Sequence, residues 1–284
     1  MVRERDRNRG RSRKKRRKGG GFLWVIFLLM AVGLLVVSLY MLAINLLPYF
    51  QGAQINEEIR TLYIRTEARQ AEEVQDGEEP LEEIISVPLP NRYWIDFEGL
   101  RLVNEDVVAW LRFIEPEDIS YPVVQSHDNI EYLYTAFDGT ANSLGSIFID
   151  KNNGASFREP NVFIHGHNMR IGGEMFSQLS VYREKEFALE NPYFFIYTPD
   201  GMMRTYRVFA ASQITYDGPL YRMNFADDED FLDYLQLIEQ NAIYFIEGID
   251  LSANSRIVTL STCTNVRQQD RFVVHGLLID ERAN

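Results

Sequence analysis

The first long feature of the chain is an unbroken apolar stretch. Residues 22–47 contain no charged side chain. As an α-helix they would extend roughly 39 Å at about 1.5 Å per residue, enough to cross a hydrocarbon core of about 30 Å with some tilt. A cleaved signal peptide has a shorter apolar region and a small-residue cleavage site, and neither is present. The pattern therefore predicts a permanent transmembrane helix over residues 21–47.

Beyond residue 93 the pattern changes to short runs rich in β-branched and aromatic residues, separated by turn residues. Such runs are typical of β-strands. Eight are predicted: VVAWLRF (107–113), SYPVVQS (120–126), GSIFID (145–150), NVFIHGH (161–167), YFFIYT (193–198), RTYRVFAASQI (204–214), RIVTLSTCT (256–264) and RFVVHGLLID (271–280). Pro-Asp-Gly at 199–201 indicates a hairpin turn. A mostly β, closed or nearly closed barrel is the expected architecture.

One late segment breaks this β pattern. In residues 226–245, ADDEDFLDYLQLIEQNAIYF, the apolar residues Phe231, Leu235 and Ile238 recur at helical spacing. The segment opens with acidic residues, which favour a helix N-terminus. We therefore expect a helix inserted before the last two strands of the domain.

The region between the apolar stretch and the strands is strongly acidic. Residues 48–92 are partly helical in pattern, and Pro80, Pro88 and Pro90 interrupt the later part. This composition predicts a helical or flexible stalk. The globular domain is expected over residues 93–284, and no internal repeat is visible.

Charge is distributed unevenly along the 284 residues, whose net charge is -12. Residues 1–20 carry 11 Arg or Lys and two acidic residues, whereas the rest carries 18 basic and 39 acidic residues. By the positive-inside rule, the basic tail lies in the cytoplasm and everything after about residue 48 lies outside. A nucleic-acid-binding arm is the alternative. This alternative is disfavoured because membrane orientation and attraction to anionic lipids already account for the basic charge of the tail. The acidic charge of the remaining domain also argues against nucleic-acid binding.

Cys263 is the only cysteine of the chain, so no intramolecular disulfide can form. In an exported protein, an odd cysteine is either reactive or waiting for a partner. The alternative is that Cys263 is a small buried hydrophobic residue.

A cysteine nucleophile generally works with a histidine. If residues 256–263 and 271–279 form a hairpin, Arg271 lies near Cys263. His275 would then be roughly 13 Å further along the strand, at about 3.3 Å per residue, and is interpreted as structural.

The other histidines are His127, His165 and His167. His127 lies in a polar segment and is interpreted as a surface or capping residue. His165 and His167 lie at the end of an apolar strand with a spacing of two, which places both on one face, as catalytic groups often are on a rigid scaffold. Spacing alone does not choose between them. They lack a nearby third ligand for a metal, and no phosphate-binding glycine loop is present.

Arg271 opens the last strand beside the loop that follows the cysteine. Its guanidinium could make a surface ion pair in this acidic domain. Alternatively, it could hold a peptide carbonyl and stabilise an oxyanion, because it is always charged and presents several donors in a fixed fork. Arg267, inside the loop, is the weaker competitor.

Three features together resemble the sortases, membrane-anchored cysteine transpeptidases of Gram-positive bacteria. They are TLSTC at 259–263, Arg271 eight residues later, and GHN at 166–168. The likeness runs from about residue 95 to residue 280. The segments NSLGSIFID, NVFIHGHNM and RFVVHGLLI, and the helix before the cysteine strand, are similar to class B. The resemblance implies a closed eight-stranded β-barrel and no metal or organic cofactor.

The resemblance also implies roles for individual residues. Cys263 would be the nucleophile, His167 the catalytic histidine and Arg271 the third member. Ser261 is expected to contact substrate. His165 departs from the family, which often has an aromatic or another residue there.

The implied reaction has two steps. The Cys263 thiolate attacks the carbonyl of a threonine in a C-terminal sorting motif, and His167 protonates the departing amine. The amine of a peptidoglycan precursor or of a pilin lysine then resolves the thioester. The implied substrates are surface proteins or pilins that carry a sorting signal.

Three alternatives to this interpretation remain. An L,D-transpeptidase would also use Cys and His on a β scaffold, but in a Ser-His-Gly-Cys context that Ser-Thr-Cys replaces here. An anchored β-barrel binding module would merely pack Cys263. A sortase fold could also serve mainly as a hydrolase or as a pilus polymerase.

Overall fold

The computed structural model describes residues 20–67, 92–117, 119–169, 172–263 and 269–284. The chain divides into two units, residues 1–47 and residues 48–284. Most of the predicted basic tail, and residues 68–91 of the predicted stalk, lie outside the described residues.

Helix α1 (Gly20–Tyr63) contains the apolar stretch. In the first unit its apolar side chains, such as Phe22, Trp24 and Phe27, are exposed. Within the described chain, α1 is the one helix long and apolar enough to cross a membrane by length and composition.

The part of α1 that belongs to the second unit overlaps the predicted stalk and packs against the β domain. Ile59 is buried, and Arg60 Nε donates a hydrogen bond to the carbonyl oxygen of Ser120 (3.1 Å). Asn142 Nδ2 donates to the carbonyl oxygen of Pro48 (3.1 Å). These residues therefore contribute to the folded domain as well as leading towards it.

Eleven strands are present in the described residues. Two form a small antiparallel pair, β1 (Ile64–Glu67) and β2 (Arg92–Ile95). The other nine form one sheet: β3 (Val107–Phe113), β4 (Ser120–Val124), β5 (Ile147–Ile149), β6 (Asn161–Gly166), β7 (Tyr193–Tyr197), β8 (Met202–Thr215), β9 (Ala242–Phe245), β10 (Ile257–Cys263) and β11 (Asp270–Ala283).

The order of the nine-stranded sheet is β11-β10-β6-β5-β4-β3-β7-β8-β9, and β11 also pairs with β8. This extra pairing closes eight strands into a ring and leaves β9 attached outside it, along β8. The closed eight-stranded β-barrel expected from the sequence is confirmed, and each of the eight predicted runs overlaps one strand of the ring.

The helical segments besides α1 are short. They are α2 (Phe97–Val103), α3 (Lys185–Glu190), α4 (Asp228–Asn241), and two 3₁₀ segments, Glu131–Leu133 and Phe176–Arg183.

Alternate residues of β6, β10 and β11 enter two different apolar clusters. Ile164, Leu260 and Val274 join the cluster that fills the barrel. Phe163 and Val273 point to the outer face, where α4 covers them. This part of the sheet is buried on both faces, which explains the nearly continuous apolar runs of these strands.

The inserted helix predicted over residues 226–245 is confirmed as α4. Its N-terminus is capped by Asp227, whose carboxylate accepts the N–H of Asp230 (3.0 Å). The last predicted residues, 242–245, instead form β9, because the β-branched and aromatic run Ile-Tyr-Phe pairs with the free edge of β8.

Candidate active site

The candidate site is built on three neighbouring strands, β6, β10 and β11. Cys263 on β10 lies opposite Arg271 on β11, which confirms the predicted hairpin register. Two residues earlier, Ser261 is the register neighbour of His165 on β6. The parallel ladder ends at Thr262 and Gly166, so one further step places His167 at the level of Cys263. Residues two apart on a strand share a face.

Gly166 allows the two histidines to flank it on the outer face. A Cβ on Gly166 would lie 2.5 Å from Ile147 Cδ1 and 2.7 Å from Phe176 Cγ, inside the barrel. Close packing leaves no room for a side chain there. The His-Gly-His sequence therefore combines two polar outward positions with an inward position that only glycine fills.

A cavity of about 230 Å³ opens where these strands end. Four of the residues expected from the sequence line it: His165, His167, Ser261 and Arg271. The structure thus brings together, on one wall of one cavity, groups that are up to 106 positions apart in the chain.

A backbone carbonyl fixes the ring of His167. His167 Nε2 lies 2.8 Å from the carbonyl oxygen of Leu133, at the end of the first 3₁₀ segment. A carbonyl oxygen can only accept a hydrogen bond, so Nε2 carries the proton of this contact. Leu133 also lines the cavity.

Arg271 is positioned by contacts at the start of β11. Its Nη1 donates to the carbonyl oxygen of Asp270 (3.1 Å), and its guanidinium carbon lies 5.7 Å from the centre of the Tyr216 ring. A guanidinium near an aromatic face gains a cation–π contact. Tyr216 lies in the connection from β8 to α4 and also lines the cavity.

A buried carboxylate, Asp150, lies behind the cavity wall. It is fully buried at the end of β5. Its Oδ2 accepts the Tyr221 hydroxyl (2.6 Å) and Asn129 Nδ2 (2.8 Å), and it lies 3.1 Å from His165 Nε2. Burial alone would raise the pKa of Asp150, but the hydrogen bonds from His165 and from the Tyr221 hydroxyl hold it well below its usual range.

The contact with Asp150 shifts the pKa of Tyr221 in the direction opposite to that of Asp150. Burial and the neighbouring Asp150 carboxylate raise the pKa of Tyr221 well above its usual range. Its hydroxyl is therefore a hydrogen-bond donor at neutral pH, and Asp150 is the ionised acceptor.

Comparison with known proteins agrees with this geometry. A family model described as the sortase domain matches residues 114–279. The chain belongs to the sortase family. Sortase B of Listeria monocytogenes is 35% identical over 188 residues, which cover 65% of this chain and 74% of that protein.

Solved structures of sortase B are similar as well. The X-ray structure of Clostridium perfringens sortase B has a TM-score of 0.61 and 32% identity, covering 65% of this chain and 100% of that one. A Staphylococcus aureus sortase B–substrate complex has a TM-score of 0.59 and 27% identity, covering 65% and 84%. The protein is a class B sortase, and sortases of this type are cysteine transpeptidases.

Ser261 and Thr262 give the sortase cavity a polar floor. Both residues are buried, and neither hydroxyl has a hydrogen-bond partner within the described chain. Buried hydroxyls normally find partners, so these two are unusual among the residues that line the cavity. Ser261 lines the cavity, and its expected contact with substrate stays a prediction.

The remaining histidines lie away from the sortase cavity. His275 is fully buried on β11, opposite Thr259, and burial lowers its pKa to about 3. His127 is exposed beside Asp128, at 3.8 Å. Both positions agree with the structural roles expected for these residues.

Arg267, the weaker alternative to Arg271, lies outside the described residues. Among the residues that the structure describes, no group of three or more His, Cys, Asp or Glu side chains is arranged to hold a metal ion.

Asp150, Tyr221 and Asn129 were not predicted from the sequence. A weak signal was present for Asp150, since an acid directly follows the apolar run Ile-Phe-Ile of a predicted core strand. Tyr221 and Asn129 carried no such signal, because their proximity to the site arises only when separate connections fold over the strand ends.

Proposed function

We propose that this sortase is a membrane-anchored transpeptidase that cleaves a C-terminal sorting motif after threonine. The acyl group passes through a thioester on Cys263 to an amine of a peptidoglycan precursor or of a pilin lysine. The observation that carries the proposal is the shared register level of Cys263, Arg271 and His167 at the ends of β10, β11 and β6, where His167 and Arg271 line one cavity.

Each of the three side chains has a role in the first step. The Cys263 thiolate attacks the threonine carbonyl, and Arg271 stabilises the charge that develops on the carbonyl oxygen. His167, as an imidazolium, protonates the departing amine. A thioester suits the second step because it reacts readily with amines and conserves the energy of the broken peptide bond. This chemistry requires no metal or organic cofactor.

Substrates are proposed to be surface proteins or pilins with a C-terminal sorting signal. Support comes from the related Staphylococcus aureus sortase B, whose structure was solved as a complex with substrate. Ser261, which lines the cavity, is proposed to contact the bound peptide.

The protein is proposed to be a single-pass membrane protein. Residues 21–47 would span the bilayer, the basic residues 1–20 would lie in the cytoplasm, and the acidic stalk 48–92 would connect to an extracellular catalytic domain over residues 93–284. The length of the apolar stretch and the placement of its basic flank support this orientation. Nucleic acid is not a proposed partner.

The test uses the full-length protein in detergent with a library of quenched peptides carrying Pro-x-Thr cores. Cleavage after threonine, located by mass spectrometry, is expected for the wild type and should vanish in Cys263→Ala, His167→Ala and Arg271→Ala. The exposed His127→Ala is the matched control and should retain activity. Cleavage that survives in Cys263→Ala would rule out the thioester mechanism.

The same assay separates transpeptidase from hydrolase and from binding module. An added amine should appear in the product of a transpeptidase, whereas a hydrolase gives only the free acid. An anchored binding module would cleave no peptide, and its ligand binding would survive Cys263→Ala.

A further inference from the structure

The hydrogen bonds of His165 define its tautomer. His165 Nε2 lies 3.1 Å from Asp150 Oδ2 and 3.2 Å from the Tyr221 hydroxyl oxygen. Tyr221 has one hydroxyl hydrogen, and it points to Asp150 at the shorter distance of 2.6 Å. The ionised carboxylate can only accept, so both neighbours of Nε2 act as acceptors and Nε2 carries a proton.

The other nitrogen of His165 is consequently the basic one. Within the part of the chain that the structure describes, Nδ1 makes no hydrogen bond. The ring is held by packing: its centre lies 5.2 Å from that of Phe148 and 5.9 Å from that of Tyr221. The side chain retains 13% of its exposure and lines the cavity. A fixed imidazole is thus available to a group bound there.

The two cavity histidines have different hydrogen-bond partners. His167 contacts a neutral carbonyl, that of Leu133, whereas His165 contacts the buried carboxylate of Asp150. An ionised carboxylate stabilises an imidazolium more than a carbonyl dipole does, and more strongly in a buried site than in water. The Asp150 carboxylate is thus placed to balance a proton that His165 takes up in a reaction step.

His165 is also close to the proposed thioester. It is the register neighbour of Ser261, which lies two residues before Cys263 on β10. With strands about 4.8 Å apart and about 3.3 Å per residue, the Cα atoms of His165 and Cys263 lie roughly 8 Å apart. A group bound at these strand ends is therefore within reach of the His165 ring, which lines the cavity.

We propose that His165 is a second catalytic histidine, which takes the proton of the attacking amine when the thioester is resolved. This inference rests on the proposed function. Asp150 and Tyr221 act on it as positioning residues. His167 would serve mainly as the acid of the first step, and His165 as the base of the second.

Atoms and electrons balance in this second step. The amine nitrogen forms a bond to the thioester carbonyl carbon, and the carbon–sulfur bond breaks. The electron pair of that bond leaves on the Cys263 sulfur as a thiolate. The proton released by the amine nitrogen moves to His165 Nδ1, and from there to solvent.

The pH dependence of this step involves every titratable group of the cavity. The groups near His165 are Asp150 behind its ring, Tyr221 and Tyr216 on the connection to α4, His167 on its own strand end, and Arg271 on β11. A variant of His165 alone therefore has to be compared with variants of its neighbours.

The test separates the two half-reactions in the full-length protein in detergent. A peptide identified in the cleavage assay is mixed with enzyme, and the released leaving fragment and the covalent acyl-enzyme are measured by rapid quench and intact mass. Glycinamide and hydroxylamine serve as acceptors. Both lose a proton on forming the acyl–nitrogen bond, but hydroxylamine is the stronger nucleophile towards thioesters and depends far less on a general base. His127→Gln is the matched control for loss of an imidazole.

In His165→Gln we expect thioester formation within about twofold of the wild type and transfer to glycinamide lower by about 100-fold, as for loss of a general base. Transfer to hydroxylamine should fall far less, and the thioester should accumulate. The wild-type transfer rate should rise with pH through an ionisation that the variant lacks. In Asp150→Asn, transfer to glycinamide should also fall more than thioester formation, but by a smaller factor than in His165→Gln. This variant serves as the test if His165→Gln does not fold.

Two outcomes would overturn the inference, and they are distinguishable from failure of the proposed function. Equal loss of both half-reactions would mean that His165 is structural, and unchanged transfer to glycinamide would mean that it is not the base. In both cases the wild type still forms a thioester. If the wild type forms no thioester, the proposed function fails and the inference fails with it.

Discussion

Arg271 lies directly opposite Cys263 across the β10–β11 hairpin, as the last rung of an antiparallel ladder that begins at Ile257 and Leu277. A slip of one residue in this ladder would move every side chain of one strand to the other face. The alternation of apolar residues into the barrel therefore also fixes the register position of Arg271 opposite Cys263. Packing of the core and alignment of the site are consequences of the same register.

This relationship predicts that Arg271→Lys lowers kcat/KM for peptide cleavage by about 100-fold. The ammonium of lysine keeps the charge but loses the planar fork of donors that would hold the oxyanion, and losing one such donor costs about 100-fold to 1,000-fold. Arg256→Lys is the matched control, because Arg256 binds Glu281 away from the cavity (2.8 Å). Wild-type kcat/KM in the Arg271→Lys variant would show that charge alone is sufficient.

Gly166→Ala should destabilise the fold and disturb both histidines. The added methyl group would collide with Ile147 and Phe176 inside the barrel, and overpacking of this kind costs about 1–3 kcal/mol. The free energy of unfolding, measured by urea titration of the full-length protein in detergent, should fall by that amount, together with peptide cleavage. Gly33→Ala is the control, because no atom lies within 4 Å of its expected Cβ. An unchanged unfolding free energy in Gly166→Ala would contradict the packing argument.

Local sequence pattern identified the strands of this barrel and favoured a barrel, but it did not indicate which two strands pair to close it. Alternation and turn residues identified β8 and β11 individually. Their pairing, which closes the ring, joins residues 202–215 to residues 270–283 and depends on the whole chain between them. The acidic composition of residues 48–92 likewise suggested a stalk, whereas Ile59 and Asn56 are buried against the β domain. The average composition of a segment does not reveal the few positions that form one buried face of a helix.

The residues of the candidate site likewise fall into two groups: those that sequence motifs indicate, and those that only the fold brings to the site. Cys263, Arg271 and the two histidines belong to short motifs at strand ends, so sequence spacing could indicate them. The Asp150 carboxylate became relevant only when Tyr221, 71 positions away, was placed 2.6 Å from it. Contacts of this kind arise from loops that fold over strand ends. The periodicity of apolar residues within one segment does not indicate them.

The last prediction concerns acid stability and the buried His275. Thr259 Oγ1 donates to Asn161 Oδ1 (2.9 Å), so it can only accept from His275 Nδ1 (3.1 Å). His275 Nε2 is then the unprotonated nitrogen. It is buried and without a hydrogen-bond partner among the described residues. A proton added there would be a desolvated charge, and burial accordingly lowers the pKa to about 3.

The sign of the effect follows from proton uptake. Below pH 6.5 the unfolded chain binds a proton at His275 that the folded protein does not bind, so stability is lost as the pH falls from about 6.5 towards about 3. The slope is at most about 1.4 kcal/mol per pH unit. Between pH 7 and pH 5, His275→Gln should therefore lose about 2 kcal/mol less unfolding free energy than the wild type. Carboxylates with lowered pKa, such as Asp150, lose their contribution mainly below this window.

Urea unfolding of the full-length protein in detergent at pH 7, 6 and 5 measures this difference. The comparison uses the change with pH, because removal of a buried ring lowers stability at every pH. His127→Gln controls for removal of an exposed imidazole and should leave the wild-type slope unchanged. Parallel slopes for His275→Gln and the wild type would mean that the folded protein takes up the proton at His275 as readily as the unfolded chain, and the buried, neutral assignment of this ring would be wrong.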